Sequence, residues 1–208
     1  MKILYLLILI LISSTTYSSQ QALTDKGEIV ILNDDGTWRF INDESSSSAK
    51  IKTNHTNYKK PKSSSFLLKS SNNKSAYWIN PNKWSFTKNT QNQEAEYEFK
   101  LKGKDLYAMV VTEEIVISKE ALADIALENA RSVAPDIRVT KKEYRTVNNQ
   151  PVIYMEMVGT MQSIKFTYLS YYYSDESGST QLITYTGSNL ASKYQTEIQE
   201  MLNGLTTQ

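Results

Sequence analysis

From about residue 94 onward the chain steps between apolar and polar residues with a period of two, broken by short runs rich in Gly, Asn and Asp. Such alternation marks half-buried strands, and the breaks mark their turns. Glu94–Lys102 and Asp105–Thr112 flank Lys102-Gly103-Lys104 and predict a hairpin. Ile137–Val147 and Pro151–Gly159 flank Asn148-Asn149, a pair that tolerates the left-handed backbone of a tight turn. Ile164–Ser174 and Thr180–Thr186 flank Asp175-Glu176-Ser177-Gly178. Upstream, Ala76–Phe86 reads as a strand, a turn at Asn80-Pro81-Asn82 and a second short strand.

The period changes to that of a helix between Ile117 and Val133. Leu122, Ile125, Ala126, Asn129, Ala130 and Val133 share one face, Ser118 is the N-cap, Ile117 and Leu122 form a hydrophobic staple, and Pro135 ends the run. A closing helix is expected from Ser188, with Leu190, Tyr194, Ile198, Met201, Leu202 and Leu205 turned inward and Gly204 as its C-cap. Antiparallel hairpins with two helices predict an α+β domain: a largely antiparallel sheet flanked by helices on both faces.

The stretch FTYLSYYYSDESGSTQLITYTG, residues 166–187, sharpens that picture. On its first strand Phe166, Tyr168 and Tyr172 share one face, while Leu169, Tyr171 and Tyr173 share the other. A strand apolar on both faces belongs in the middle of a sheet covered on both sides, and tyrosine suits such a place because its hydroxyl can reach an edge. Packing is the favoured reading. The alternative is a stacking platform for sugar rings built from Tyr171 and Tyr173 with Trp78 or Trp84. The rim formed by Tyr173 and Tyr185 is the place to look for a partner.

Ahead of this domain, MKILYLLILILISSTTYSSQ joins one lysine, an apolar run from Ile3 to Ile12 and a stretch of small polar residues. That is the layout of a secretory signal peptide, expected over residues 1–19. Its run of about ten residues is half of what a membrane span needs, so a secreted or periplasmic mature chain is expected. Residues 20–42 read as a small β-meander, with turns at Lys26-Gly27 and Asn33–Gly36. Residues 43–65, rich in Ser, Lys and Asn, read as a linker, and the α+β domain is expected over residues 66–208.

Composition then narrows the chemistry. The chain has no cysteine, which removes thiol nucleophiles and thiolate metal sites. Its single histidine, His55, falls in the Lys/Ser/Asn-rich stretch read as linker, which removes Ser-His-Asp triads and multi-histidine metal sites from expectation. No disulfide can staple the fold, so a packed core must hold it. Net charge is +1, yet no acid falls between Ser45 and Gln93, where Lys50, Lys52, Lys59, Lys60 and Lys62 begin a basic run. The run is read first as a solvated linker and second as a weak contact for an anionic surface; nucleic acid is not an expected partner. Only carboxylates remain for catalysis. Glu113-Glu114 and Asp175-Glu176 are adjacent pairs, and neighbours on a strand point to opposite faces, whereas a glycosidase needs two carboxyls across a cleft. No Gly-rich phosphate loop or nucleophile elbow is present. No cofactor or metal is expected.

The order WINPNKWSF, AEYEFKLKGKDLYAMVVTEEI, a capped helix, EYRTVNNQPVIYMEM, the tyrosine strand, QLITYTGSNL and a closing helix ending in LNGL resembles the PsbP-like superfamily, over about residues 76–205. This is the α/β/α sandwich shared by a photosystem II extrinsic subunit and a nuclear-import Ran-binding protein, and the pattern is nearest to uncharacterised exported bacterial members. The resemblance implies a non-enzymatic binding or assembly role. The sequence therefore predicts an exported binding or scaffolding protein of the bacterial cell envelope, with candidate contacts at Trp78, Trp84, Tyr171, Tyr173 and Tyr185. A carboxylate-based hydrolase or carbohydrate-binding module acting on envelope glycans is the alternative.

Overall fold

The tyrosine strand is central, as its two apolar faces require. In the computed structural model, which describes residues 20–24, 29–32, 38–40, 51–88 and 94–208, Ile164–Asp175 forms a strand (β12) four places into an eight-stranded sheet. In sequence order the strands are β1 (Gln20–Leu23), β2 (Ile29–Leu32), β3 (Trp38–Phe40), β4 (Lys52–Tyr58), β5 (Phe66–Lys69), β6 (Ser75–Ile79), β7 (Trp84–Lys88), β8 (Tyr97–Leu101), β9 (Leu106–Glu113), β10 (Arg138–Val147), β11 (Gln150–Met161), β12, β13 (Gly178–Gly187) and β14 (Leu205–Thr207). Helix α1 (Lys119–Val133) follows β9 and α2 (Gln195–Leu202) follows β13. The large sheet runs β4-β10-β11-β12-β13-β9-β8-β7. Every pairing in it is antiparallel except β4 with β10, which is parallel. The class is mixed α+β, as expected.

Each face of β12 enters a different core. Tyr172 joins Ile153, Met155 and Met157 of β11 beneath Leu122, Ala123 and Ala126 of α1. Leu169, Tyr171 and Tyr173 join Leu182 of β13 and meet Ile198, Met201 and Leu202 of α2 together with Tyr77 and Ile79 of β6 and Leu205 of β14. The second cover is thus part helix and part sheet, since β14, β6 and β5 pair into a three-stranded layer of their own.

Several expectations need correction. Residues 52–58, read as linker, form edge strand β4 on β10. The strand is polar because only Asn54 and Tyr58 turn partly inward, and an exposed edge strand needs few apolar residues. The two strands around Asn80-Pro81-Asn82 do not pair with each other, as β6 belongs to the small sheet and β7 to the large one. The closing helix begins at Gln195 rather than Ser188, after a run of turns, and Leu205 lies in β14. Its C-cap is Asn203. Gly204 is required instead by a close approach: an added Cβ would stand 2.2 Å from the Trp78 carbonyl oxygen. Helix α1 matches its prediction, with Ser118 Oγ accepting from the Ala121 N–H, but Val133 is exposed rather than buried. Strands β1 to β3 form the expected meander. Its turns and the signal-peptide residues lie outside the described residues, as does Lys50.

Polar ties join the layers. Glu96, with a side chain 5 % exposed, accepts from Ser70 Oγ, Ser71 N, Ser71 Oγ and Thr112 Oγ1 at 2.6–2.8 Å. It thereby clamps the β5–β6 turn onto the end of β9. Burial pushes its pKa up, but the donors from Thr112, Ser71 and Ser70 outweigh this and hold the carboxyl below its ordinary 4.5. At the same end of the strands, but toward the β4 edge of the sheet, Asn148, at φ +49° in the β10–β11 turn, donates to the Asn203 and Leu205 carbonyls at 2.9 and 2.7 Å. Its backbone N–H reaches the Tyr58 carbonyl at 2.9 Å.

Two outcomes follow. A group with a depressed folded pKa contributes stability above its unfolded value and loses it as pH falls through the folded one. The wild type should therefore lose stability below pH 4.5. In thermal melts from neutral pH to pH 3, Glu96→Gln should be weaker at neutral pH by about 2 kcal/mol and show a shallower acid loss. The β11–β12 turn holds Gln162 and Ser163 at φ +49° and +66°, where Asn and Gly are preferred. Replacing Gln162-Ser163 with Asn-Gly should raise the denaturant midpoint, a gain of about 1 kcal/mol.

Candidate functional site

The alternative of a sugar platform built from Tyr171 and Tyr173 with Trp78 or Trp84 does not fit the structure, whereas the favoured packing reading of the tyrosine strand does. Tyr171, Tyr173 and Trp84 are at most 5 % exposed, and all three belong to the core shared with α2. The Tyr171 hydroxyl donates to Asn203 Oδ1 at 2.9 Å and accepts from Arg145 Nη1 at 3.3 Å. Burial pushes its pKa up to about 12, so it stays a neutral donor. The Tyr173 hydroxyl donates to Asp175 Oδ2 at 2.8 Å. Trp78 is half-buried, with Lys60 Nζ 4.6 Å over its ring. Burial wins over ligand contact for Tyr171, Tyr173 and Trp84, because each side chain points into the core between the large sheet and the layer formed by α2 and the small sheet.

Around Tyr171 lies a cluster that the sequence pattern does not announce. Arg145 Nε donates to Glu143 Oε1 at 2.6 Å. The guanidinium carbon sits 3.6 Å from the Tyr154 ring centroid and 4.8 Å from that of Tyr58. Asn54 Nδ2 donates to the same Glu143 oxygen at 3.1 Å. Glu143 and Arg145 are both buried, on the core side of β10. The ion pair and its tyrosines complete one another, so the cluster is a structural tie between β4, β10 and β12. Alternation does place both residues on one face of β10; only the pairing with β4 reveals that this face is covered.

The exposed aromatic surface lies on the other face of the sheet. Lys100, Tyr107, Tyr185 and Tyr168 stand directly opposite one another across β8, β9, β13 and β12. The Tyr107 and Tyr185 rings stack at 5.5 Å, Tyr185 and Tyr168 lie 6.0 Å apart, and Lys100 Nζ caps Tyr107 at 5.3 Å. All three tyrosines are partly exposed. Because the rings use their faces on one another, they offer edges and hydroxyls rather than open stacking faces. Of the candidates from sequence, Tyr185 alone stands here. Tyr107 and Tyr168 sit in alternating strands like many others, and only the register across four strands makes them a row.

Next to the row, a groove of 560 Å³ opens between α1 and the sheet, lined by Met109, Val111, Val133, Met157, Tyr168 and Ile183, with Asn129, Ser132 and Gln181 among its polar residues. A smaller depression of 240 Å³ continues past Tyr185 and Tyr107 to Lys100. The cause is geometric. Eight strands span about 34 Å, and one helix about 10 Å wide covers roughly two of them. Helix α1 lies on β11, β12 and part of β13, leaving the outward residues of β9 half-exposed.

The acidic pairs do not face a cleft. Glu113 and Glu114 are exposed at and just beyond the end of β9. Asp175 accepts from the Ser177 N–H and hydroxyl within its own turn. Among the described residues no cluster of three or more His, Asp or Glu side chains could hold a metal ion, and no helix is long and apolar enough to cross a membrane.

No family model and no curated protein matches the chain. The fold is similar to the solution structure of cyanobacterial PsbP (CyanoP) from Synechocystis sp. PCC 6803, with a TM-score of 0.54 at 10 % identity over 70 % of this chain and 94 % of that one. The architecture is therefore PsbP-like, as the order of elements predicts, and at this identity the likeness concerns fold alone. A Pseudomonas aeruginosa protein of unknown function, described as a putative regulator, gives a TM-score of 0.44 at 8 % identity over 60 % of this chain and 83 % of that one. A protein from Bacteroides thetaiotaomicron gives 0.46 at 10 % identity over 70 % of this chain; this chain spans 49 % of its length.

Arg145→Ala takes a charged donor from Glu143, which keeps Lys141 Nζ at 3.2 Å and Asn54 Nδ2 at 3.1 Å. It should destabilise the protein by about 2 kcal/mol in equilibrium unfolding, while leaving the Tyr107, Tyr168 and Tyr185 resonances in place.

Proposed function

We propose that this protein is an exported, non-enzymatic binding or scaffolding module of the bacterial cell envelope. It would be an α/β/α sandwich of PsbP-like type that takes its ligand in the groove beside α1. The observation that supports this reading is the uncovered half of a sheet face, where Met109, Val111, Tyr168 and Tyr185 stay partly in water beside a 560 Å³ groove. Pockets of that size, apolar with a few polar groups, suit ligands. Export is supported by the basic, apolar and small-residue order of the first residues. Contact with an anionic surface would fall to Lys52 and Lys62, which are exposed. Lys59 Nζ is engaged with Asn149 Oδ1 at 2.9 Å, and Lys60 with Trp78 and the Ser64 carbonyl.

The test is a titration of the ¹⁵N-labelled protein with peptidoglycan fragments and with monoacyl lipids. Shifts should gather at Met109, Val111, Tyr168 and Tyr185, and Met109→Lys should weaken binding by about tenfold or more. Binding elsewhere, or unchanged by Met109→Lys, would remove the groove from the proposal. Turnover of a glycan fragment that is lost in Glu113→Gln or Glu114→Gln would favour the hydrolase instead. Cell fractionation with and without residues 1–19 checks export.

A further inference from the structure

Among the described residues no strand lies beyond β7, the last strand of the large sheet. Its free edge is unusual in being aromatic. Phe86 of β7 and Phe66 of β5 are 40 % and 43 % exposed and stack on each other with centroids 5.8 Å apart. Both edges, of the large sheet and of the small one, therefore end at the same apolar spot.

The hydrogen-bond phase of β7 follows from its neighbour. The Lys102 N–H donates to the Lys83 carbonyl at 2.9 Å. Antiparallel alternation then makes Ser85–Lys100 and Thr87–Glu98 the bonded pairs. The N–H and C=O of Phe86 and Lys88, and the C=O of Trp84, consequently point outward. The remaining outward donor, the Trp84 N–H, is already taken by the Asn80 carbonyl at 3.0 Å.

We propose that β7 is the contact edge of a symmetric dimer, with the β7 of a second copy running antiparallel to it about a two-fold axis at Phe86. The occupant follows from self-complementarity. In that register the Phe86 N–H of each copy donates to the Phe86 carbonyl of the other, and each Lys88 N–H donates to the opposite Trp84 carbonyl. The donor that this pairing would strand is the one Asn80 already satisfies. Ser85 falls opposite Thr87 and Trp84 opposite Lys88, so no like charges meet. Lys83 is neutralised by Glu200 at 2.7 Å. Phe66 and Phe86 of both copies meet on one face, removing the exposed pair from water. An unpaired edge of this kind is a ready template for a strand of another chain, and two-fold dimers with isologous interfaces are the commonest closed oligomers. The inference is independent of the ligand groove, which opens beside α1.

Sedimentation equilibrium of the full chain tests it. The wild type should show a reversible dimer at about 100 μM. Ser85→Lys with Thr87→Lys places lysines opposite lysines, and Ser85→Glu with Thr87→Glu does the same with acids; each variant should self-associate about tenfold more weakly. An equimolar mixture of the two should recover association as a heterodimer. Phe86→Pro removes the outward N–H without touching the bonds to β8, and should yield a folded monomer by circular dichroism. A monomeric wild type, a dimer indifferent to these changes, or the absence of recovery on mixing would overturn the proposal.

Discussion

The structure depends on a strand that can leave neither of its faces in water. In β12, Tyr172 is buried on one side and Leu169, Tyr171 and Tyr173 on the other. Each buried aromatic withdraws about 150–250 Å² from water, worth roughly 4–6 kcal/mol before entropy is counted. Exposing either face would cost an amount comparable with the whole net stability of a domain, about 5–15 kcal/mol. Both faces must be covered, and the remaining topology is how one chain does so. Helix α1 crosses back over β11 and β12, while α2 and the small sheet close the opposite side.

Covering a wide sheet with few elements leaves openings, and their position follows from the covers. Two helices and a three-stranded layer do not cover eight strands on both sides. The side with the small sheet is filled, which is why Trp84, Tyr97 and Phe99 are buried far from β12. The side with α1 is not, so β9 and β13 keep a half-exposed tyrosine row and a groove. The same economy leaves Phe66 and Phe86 at the rim where both sheets end. Without cysteines, the layers are tied by hydrogen bonds instead: Glu96 toward the β7 edge of the sheet, and Asn148 with the Glu143–Arg145 pair toward the β4 edge.

Much of this was legible before any coordinates. The three hairpins, the Ser118-capped helix and the two-sided character of β12 follow from alternation, turn residues and caps, all of which are local. Strand β4 was not, because KTNHTNY has no apolar period; it pairs in parallel with a strand that lies some ninety residues away in sequence. Trp78 and Trp84 look alike in sequence as exposed aromatics near a turn. They end half-buried and fully buried because their strands join different sheets. Tyr107 and Tyr168 carried no signal by themselves, since a row across strands exists only once the register is set.

The sequence by itself determined the three hairpins and the Ser118-capped helix, which chemistries its residue inventory lacks, and that β12 must be buried on both sides, because these rest on near-neighbour sterics, residue inventory and period. Only the tertiary structure decided which aromatics face water. That depends on where a cover about 10 Å wide stops on a sheet about 34 Å across, a distance no stretch of neighbouring residues encodes.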